Sequence, residues 1–295
     1  MGEAQAASRG MLDWPPAGPA RPRRCDLTSS TPDALWASRS VHLLRPAAVV
    51  CDGVRRDLHG ERLLDRLDLA VGVGARLLLV STPEGSASLL LRVLAGLVHA
   101  TSGIVRIAGV ARADDSAAGW ARRIGYVGPE AGIHPWMSPG EALDLAGRLA
   151  GLDPDERRRR IEVAAELYRL GAQLGTPVRR GGPALAQRTA LAAAMLADPE
   201  VLLLDEPLRS LEPEERRLLL TLPGPRRTML LASRYPASEQ GVVNQVALLR
   251  KGRVVLHVGV AELEEHDLQL SRRGIEALAE LGLGGAPGAA AAVSR

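Results

Sequence analysis

The sequence predicts an α/β fold with a mainly parallel sheet, and three observations predict it. Compact apolar runs of strand length, Arg76–Val80, Val201–Leu204 and Thr228–Ala232, read as strands buried on both faces. Longer runs with helical spacing, Leu89–Leu97, Pro139–Leu152, Pro154–Leu174 and Ala184–Leu196, fall between them, and strands separated by helices imply parallel pairing. Near the end of this pattern Val246–Leu249 and Val254–Val258 flank Lys251-Gly252, which reads as a tight antiparallel hairpin.

The remaining elements follow in order. Ala47–Cys51 and Leu67–Val71 are short strand candidates, with Ile104–Ile107 and Ile124–Val127 further on. A turn at Ser81–Gly85 leads from the strand at 76–80 into a helix that starts at about Ser86. The stretch from about 135 to 196 reads as an inserted helical subdomain, with Arg157–Arg160 expected on a solvated helix face. Residues 1–45, rich in Pro, Arg, Ala and Ser, are expected to form a disordered extension, ahead of a domain over 46–262. Residues 263–295 are expected to form a C-terminal helix and a flexible Gly/Ala-rich tail.

Composition narrows the function. Hydrophobic residues make up 46% of the 295-residue chain, but aromatics only 2% with no Phe, so Leu, Val and Ala must build the core. The formal net charge of +3 is a mild excess that does not by itself argue for nucleic acid, and a nucleic-acid partner is not expected. Cys25 and Cys51 have neither metal-type spacing nor the number for a disulfide framework, so a reducing cytoplasm is the expected setting. No stretch has the roughly 20 apolar residues of a membrane span, so work at a membrane requires another chain to cross it. Of the 37 basic residues only Lys251 is a lysine. Lysine-dependent chemistry must therefore use Lys251 or be absent.

The strongest local signal is Leu202-Leu203-Leu204-Asp205-Glu206-Pro207, a buried strand ending in two carboxylates. Gln187-Arg188-Thr189-Ala190-Leu191-Ala192 and Asp198-Pro199-Glu200 precede it. Upstream lie Leu90–Leu97, Thr101-Ser102-Gly103 and Ile124-Gly125-Tyr126-Val127, and downstream Gly252-Arg253-Val254-Val255. Over roughly residues 47–260, in this order, the chain resembles the ATP-binding cassettes of ABC transporters. The resemblance implies a P-loop NTPase-like cassette with a small antiparallel β part. It also implies Mg²⁺ held through water by Asp205 and a catalytic role for Glu206.

Several stations of that family pattern are altered. A phosphate-binding loop G-x-x-x-x-G-K-[ST] uses glycines to turn N–H groups toward phosphate and a lysine to reach the β and γ oxygens. The corresponding segment here is Ser81-Thr82-Pro83-Glu84-Gly85-Ser86-Ala87-Ser88. Ala87 stands at the lysine position, and Ser81, Glu84 and Ser86 stand at glycine positions. Ser88 keeps the hydroxyl expected to meet Mg²⁺. Lysine lost and Glu84 gained is a change of two charge units, and one unit contact at ~4 Å is worth about 4 kcal/mol at an effective dielectric of ~20.

By the same resemblance Leu58 occupies the adenine-stacking aromatic position and Pro129 that of the Q-loop glutamine. Gly182 and Pro183 lie in the signature segment Gly181–Leu185, Ser210–Pro213 form the D-loop, and Arg234 takes the switch-histidine position. The expectation is a degenerate, non-hydrolysing cassette, with ATP and Mg²⁺ held weakly if at all. Its implied partners are an ABC-type membrane-spanning subunit, a second cassette chain, or both, at the inner face of the plasma membrane. An active ATP-hydrolysing subunit with divergent motifs, and a cassette-fold regulator outside transport, remain as alternatives.

Overall fold

A computed structural model describes residues 47–82, 85–224 and 227–282, all within the compact unit Ala34–Arg295. The extension 1–45, the tail beyond Gly282 and Glu84 lie outside the described residues.

The chain begins with two long strands, β1 (Ala47–Leu58) and β2 (Glu61–Gly72), where the sequence suggests only short ones. They pair antiparallel through a turn at His59-Gly60, both with positive φ. Then come β3 (Arg76–Thr82), α1 (Ser86–Leu94), β4 (Ser102–Ile107), β5 (Val110–Ala111), α2 (Ala117–Arg123) and β6 (Ile124–Val127). Three helices follow, α3 (Pro139–Leu149), α4 (Pro154–Leu167) and α5 (Val178–Leu196). The chain then runs through β7 (Val201–Asp205), α6 (Pro213–Thr221), β8 (Thr228–Ala232), β9 (Gln245–Arg250), β10 (Arg253–Gly259), α7 (Val260–Glu265) and α8 (Arg272–Glu280).

Two sheets result. A four-stranded antiparallel sheet has the order β2-β1-β4-β5, and a six-stranded sheet the order β10-β9-β3-β8-β7-β6. In the larger one β9-β3-β8-β7-β6 are all parallel, and only the β9–β10 hairpin is antiparallel. Its turn is Lys251-Gly252, with φ of 50° and 75°, as a type I′ turn requires. The parallel strands are buried on both sides. On β3, Leu78 and Val80 join one apolar cluster while Leu77 and Leu79 join the other. Leu202 and Leu204 of β7 alternate in the same way with Val201 and Leu203. Each fully buried Leu or Val contributes about 1.5–3 kcal/mol of transfer free energy, which is what holds this central layer.

Capping explains where the helices start. Ser138 and Glu141 form a reciprocal capping box at α3, followed by Pro139 at the first helical position. Asp153 accepts from the Asp155 and Glu156 amides at α4, and Ser116 caps α2. Several ends differ from expectation. The helix read over 89–97 does start at Ser86, as expected, but ends at Leu94, closed by Gly96 at φ 76°. The one expected over 154–174 stops at Leu167, where Arg169 adopts φ 53°.

The expected solvated arginine face on α4 is half kept: Arg158 and Arg159 are exposed, while Arg157 and Arg160 turn inward. Arg160 is 2% exposed, pairs with Glu156 at 2.6 Å and donates to the Leu196 carbonyl at 2.9 Å. Arg157 is bound to Asp144 at 2.7 Å, and Arg159 to Glu156 at 2.7 Å. Spacing at i, i+4 lets one carboxylate serve the buried guanidinium, and Arg157 and Arg160 tie α4 to α3 and α5.

Candidate functional site

The site grows from the carboxyl edge of the parallel sheet, where α/β folds place ligands. Leu79 of β3 and Asp205 of β7 are both in register with Ala232 of β8, the strand between them, and Val127 of β6 is level with Leu204. Residues that leave these strands therefore emerge side by side. Ser81, Pro129, Glu206, Ser233 and Arg234 line one cavity of about 330 Å³ with Gly85, Ala87 and Ser88 of the α1 start.

At the centre is a contact between two predicted residues. The Ser88 hydroxyl donates to Asp205 Oδ1 at 2.7 Å. Asp205 is 1% exposed, and its other oxygen, Oδ2, is buried without a hydrogen-bond partner. An orphaned carboxylate oxygen costs free energy unless a ligand reaches it. Burial raises the Asp205 pKa above the usual carboxylate value, against the Ser88 hydrogen bond and the charges of Arg92, Arg209 and Arg234. Ser88 plus a water-shielded Asp205 is the small donor set that suits Mg²⁺, which keeps waters and takes one or two protein oxygens beside phosphate. Among the described residues no group of three His, Cys, Asp or Glu side chains could hold a metal alone. These residues fit Mg²⁺ brought in with a phosphate ligand.

Glu206 is held differently. It sits at φ 48°, and Leu208 at φ 53°, so the turn after β7 places two non-glycine residues in the left-handed region. Its Oε1 accepts from the Arg234 backbone N–H at 2.8 Å, and the Arg234 guanidinium lies 3.3 Å away. Burial raises the Glu206 pKa, while both Arg234 contacts oppose that rise.

The loop after β3 does not need a glycine at Ser81 or Ser86. Ser81 lies in β3 and Ser86 opens α1, so neither needs positive φ. The sharp turn falls on Gly85, at φ 108°, which caps α1. Gly85, Ala87 and Ser88 at the start of α1 line the cavity, and a helix start with its unpaired N–H groups is a favourable place for anionic oxygen. Ala87 lines this wall with no cationic head group.

Other predicted residues lie elsewhere. Leu58 is 44% exposed at the β1–β2 tip and is not part of the cavity lining. Gly182 and Pro183 also lie outside it. Gly182 breaks α5 at φ 72° and ψ −174°, so Pro183 heads the longer helical piece, where a missing N–H breaks no intrahelical bond. Gln187 reaches forward, and its Oε1 accepts from the Ser210 N–H at 3.0 Å. Lys251 sits exposed in its turn and does not line the cavity.

Sequence reasoning missed the arginines. Arg92, Arg209, Arg234 and Arg272 all line the cavity, and only Arg234 was singled out. Against Asp205 and Glu206 they leave two positive charges in excess among the described lining residues. Arg92 follows Ser88 by one helical turn and was legible from that spacing. Arg272 comes from α8, far along the chain, and carried no local signal.

This geometry joins a strand-end Asp-Glu pair to a hydroxyl at a helix start. A family model described as ABC transporter matches residues 64–209. The chain belongs to the ABC-type ATP-binding cassette family. Over 210 residues it is 27% identical to an uncharacterized ABC transporter ATP-binding protein of Synechocystis, covering 69% of this chain and 58% of that protein. It is 28% identical over 223 residues to the daunorubicin resistance ATP-binding protein DrrA3 of Streptomyces coeruleorubidus, covering 74% and 70%. A solved structure of an ATP-binding subunit of an ABC transporter superposes with a TM-score of 0.70 at 20% identity, over 79% of this cassette and 99% of that chain. The cassette fold, with its parallel sheet and antiparallel part, is therefore that of known ABC ATPases. No helix among the described residues is long and apolar enough to cross a membrane.

Proposed function

We propose that this cassette is the nucleotide-binding subunit of an ABC transport system, and that it holds Mg-nucleotide but hydrolyses it very slowly or not at all. The observation that carries the reading is the Ser88–Asp205 contact at 2.7 Å with its orphaned Oδ2. It keeps a seat for a divalent cation, while the groups for water attack are changed. When bound, Mg²⁺ would neutralise phosphate charge there. The N–H groups of the first α1 turn and the lining arginines bind the phosphate oxygens.

The hydrolytic side argues the other way. Pro129, at the Q-loop position, offers no side-chain amide to orient water. Arg234 already occupies Glu206 Oε1, through its backbone N–H at 2.8 Å and its guanidinium at 3.3 Å, so that oxygen is engaged by the protein and not by a water. Leu58 offers no π face to adenine, so affinity rests on the phosphates. A membrane-spanning subunit and a second cassette chain are the partners this reading requires, at the inner face of the plasma membrane.

The test is phosphate release by the full chain beside a Glu206→Gln variant. The expected result is the same background rate for both. Turnover of about 1 s⁻¹ that disappears in the variant overturns the non-hydrolysing reading and returns the chain to the active subunits.

A further inference from the structure

We propose that Arg272 of the C-terminal helix α8 supplies the phosphate-binding cation that the loop after β3 lacks, so that a polyphosphate ligand is clamped between α1 and α8. The inference rests on the nucleotide-binding reading above and assigns a residue of that same site.

Three observations place Arg272 in this role. It lines the cavity together with Ser81, Gly85, Ala87 and Ser88, the segment where a lysine head group is missing. Its Nη1 donates to the Ser81 carbonyl at 3.1 Å, so the guanidinium lies against the carboxyl end of β3. The helix that carries it is fixed to that strand end. Thr82 Oγ1 donates to Glu276 Oε1 at 3.0 Å, and Ile275 and Leu278 are fully buried in the core. Ser271 caps the helix by accepting from the Gly274 N–H at 3.1 Å.

The other three lining arginines also act on the site, from the side of its carboxylates. Arg92, Arg209 and Arg234 act on the Asp205 charge, and Arg234 is paired with Glu206. They crowd the carboxylate wall. Arg272 lies against the end of β3, and the start of α1 lines the same cavity. A guanidinium there can give two parallel N–H bonds to phosphate oxygens, where an ammonium gives a point charge. The buried Asp205 Oδ2 marks the place of the accompanying cation, so ligand phosphate lies between it and Arg272.

A consequence is that ligand binding and the docking of α8 are coupled. A ligand that takes up Arg272 holds α8 against the loop, and α8 comes from the far end of the chain. Equilibrium coupling of this kind is reciprocal.

Calorimetric titration of the full chain tests this, with Mg-ATP and with inorganic tripolyphosphate as separate probes. Arg272→Gln is expected to weaken both by at least tenfold, about 1.4 kcal/mol. Arg272→Lys is expected to retain most of the affinity, because it keeps the charge. Nucleotide-free melts of both variants within a few degrees of the unmodified chain show that the loss is not unfolding. Unchanged tripolyphosphate affinity in Arg272→Gln overturns the proposal, as does an equal loss in Arg272→Lys or absence of saturable binding by the unmodified chain. Failure of the non-hydrolysing reading is seen separately, as phosphate release that depends on Glu206.

Discussion

Ser88 and Asp205 lie 117 residues apart in sequence, yet their side chains meet at 2.7 Å, joining the start of α1 to the end of β7. β3, the strand that leads into α1, does not pair with β7, because β8 lies between them. The contact therefore depends on α1 crossing over the sheet edge, which Gly85 and its φ of 108° make possible. Asp205→Asn keeps the shape and can still accept from Ser88, but it removes the charge from the buried oxygen. The nucleotide-free melt is expected to stay within a few degrees of the unmodified chain, because an uncompensated buried charge is lost. Stabilisation by Mg-nucleotide, which follows RT ln(1 + [L]/Kd), is expected to vanish. Thermal melts with and without Mg-ATP read both effects. A large melt loss without ligand, with Mg-ATP stabilisation intact, would assign Asp205 a structural role only.

Gly85 gives a second, purely conformational prediction. A Cβ at Gly85 would meet nothing within 4 Å, so substitution costs backbone strain and not collision. Gly85→Ala is expected to destabilise the chain by about 1–3 kcal/mol, the range for a residue forced into a sparsely populated backbone region. Chemical denaturation checks it through a lower midpoint at unchanged slope. A neutral result would show that this turn relaxes to another conformation.

Cys51 gives the pH dependence. Its thiol is fully buried in β1, and burial, with a smaller contribution from the Asp68 charge, pushes its pKa up to about 12. The unfolded thiol titrates near 8.5. The folded chain thus holds this proton more tightly than the unfolded chain. The resulting stability is complete below about 8.5 and falls as pH rises from there toward 12. Cys51→Ala is expected to flatten that alkaline decline relative to the unmodified chain. Alkylation at pH 8 followed by peptide mapping is expected to leave Cys51 unmodified until the chain unfolds.

The parallel layer was legible because each strand is a run buried on both faces, and the period of such runs needs no tertiary information. Ile124–Val127 and the Lys251-Gly252 hairpin were readable for the same local reason. The capped start of α3 was written in Ser138 and Glu141. Of the long β1–β2 hairpin only Ala47–Cys51 and Leu67–Val71 were legible. Its outer halves are mostly exposed or half-buried polar residues around the buried Val54 and Leu64, and take their order from each other. α2 was missed because a seven-residue helix has too little period, although Trp120 is buried and donates to the Leu94 carbonyl at 3.0 Å. In the site, Asp205, Glu206 and Ser88 came from motif spacing. The arginine lining came from four separate elements, and only the fold brings Arg272 back to Ser81.

The last prediction joins the missing lysine to that returning arginine. Ala87 lies on the second residue of α1 and lines the cavity beside Ser88. A lysine at 87 would put an ammonium into the space that Arg272 reaches from α8. If the two positions serve the same phosphate oxygens, either cation restores what the other removes. Ala87→Lys is expected to bind tripolyphosphate more tightly than the unmodified chain by less than tenfold, because two like charges then share one ligand. In an Arg272→Gln background the same substitution is expected to recover at least tenfold, since one charge-assisted contact contributes about 1.5–3 kcal/mol. The difference between these two gains is the coupling energy of the cycle, and residues acting on one group commonly couple by 0.5–3 kcal/mol. Hydrolysis is expected to stay at background in all four chains, because Pro129 and Arg234 are untouched. Equal gains in both backgrounds, measured by titration calorimetry, would show that residues 87 and 272 face different parts of the ligand.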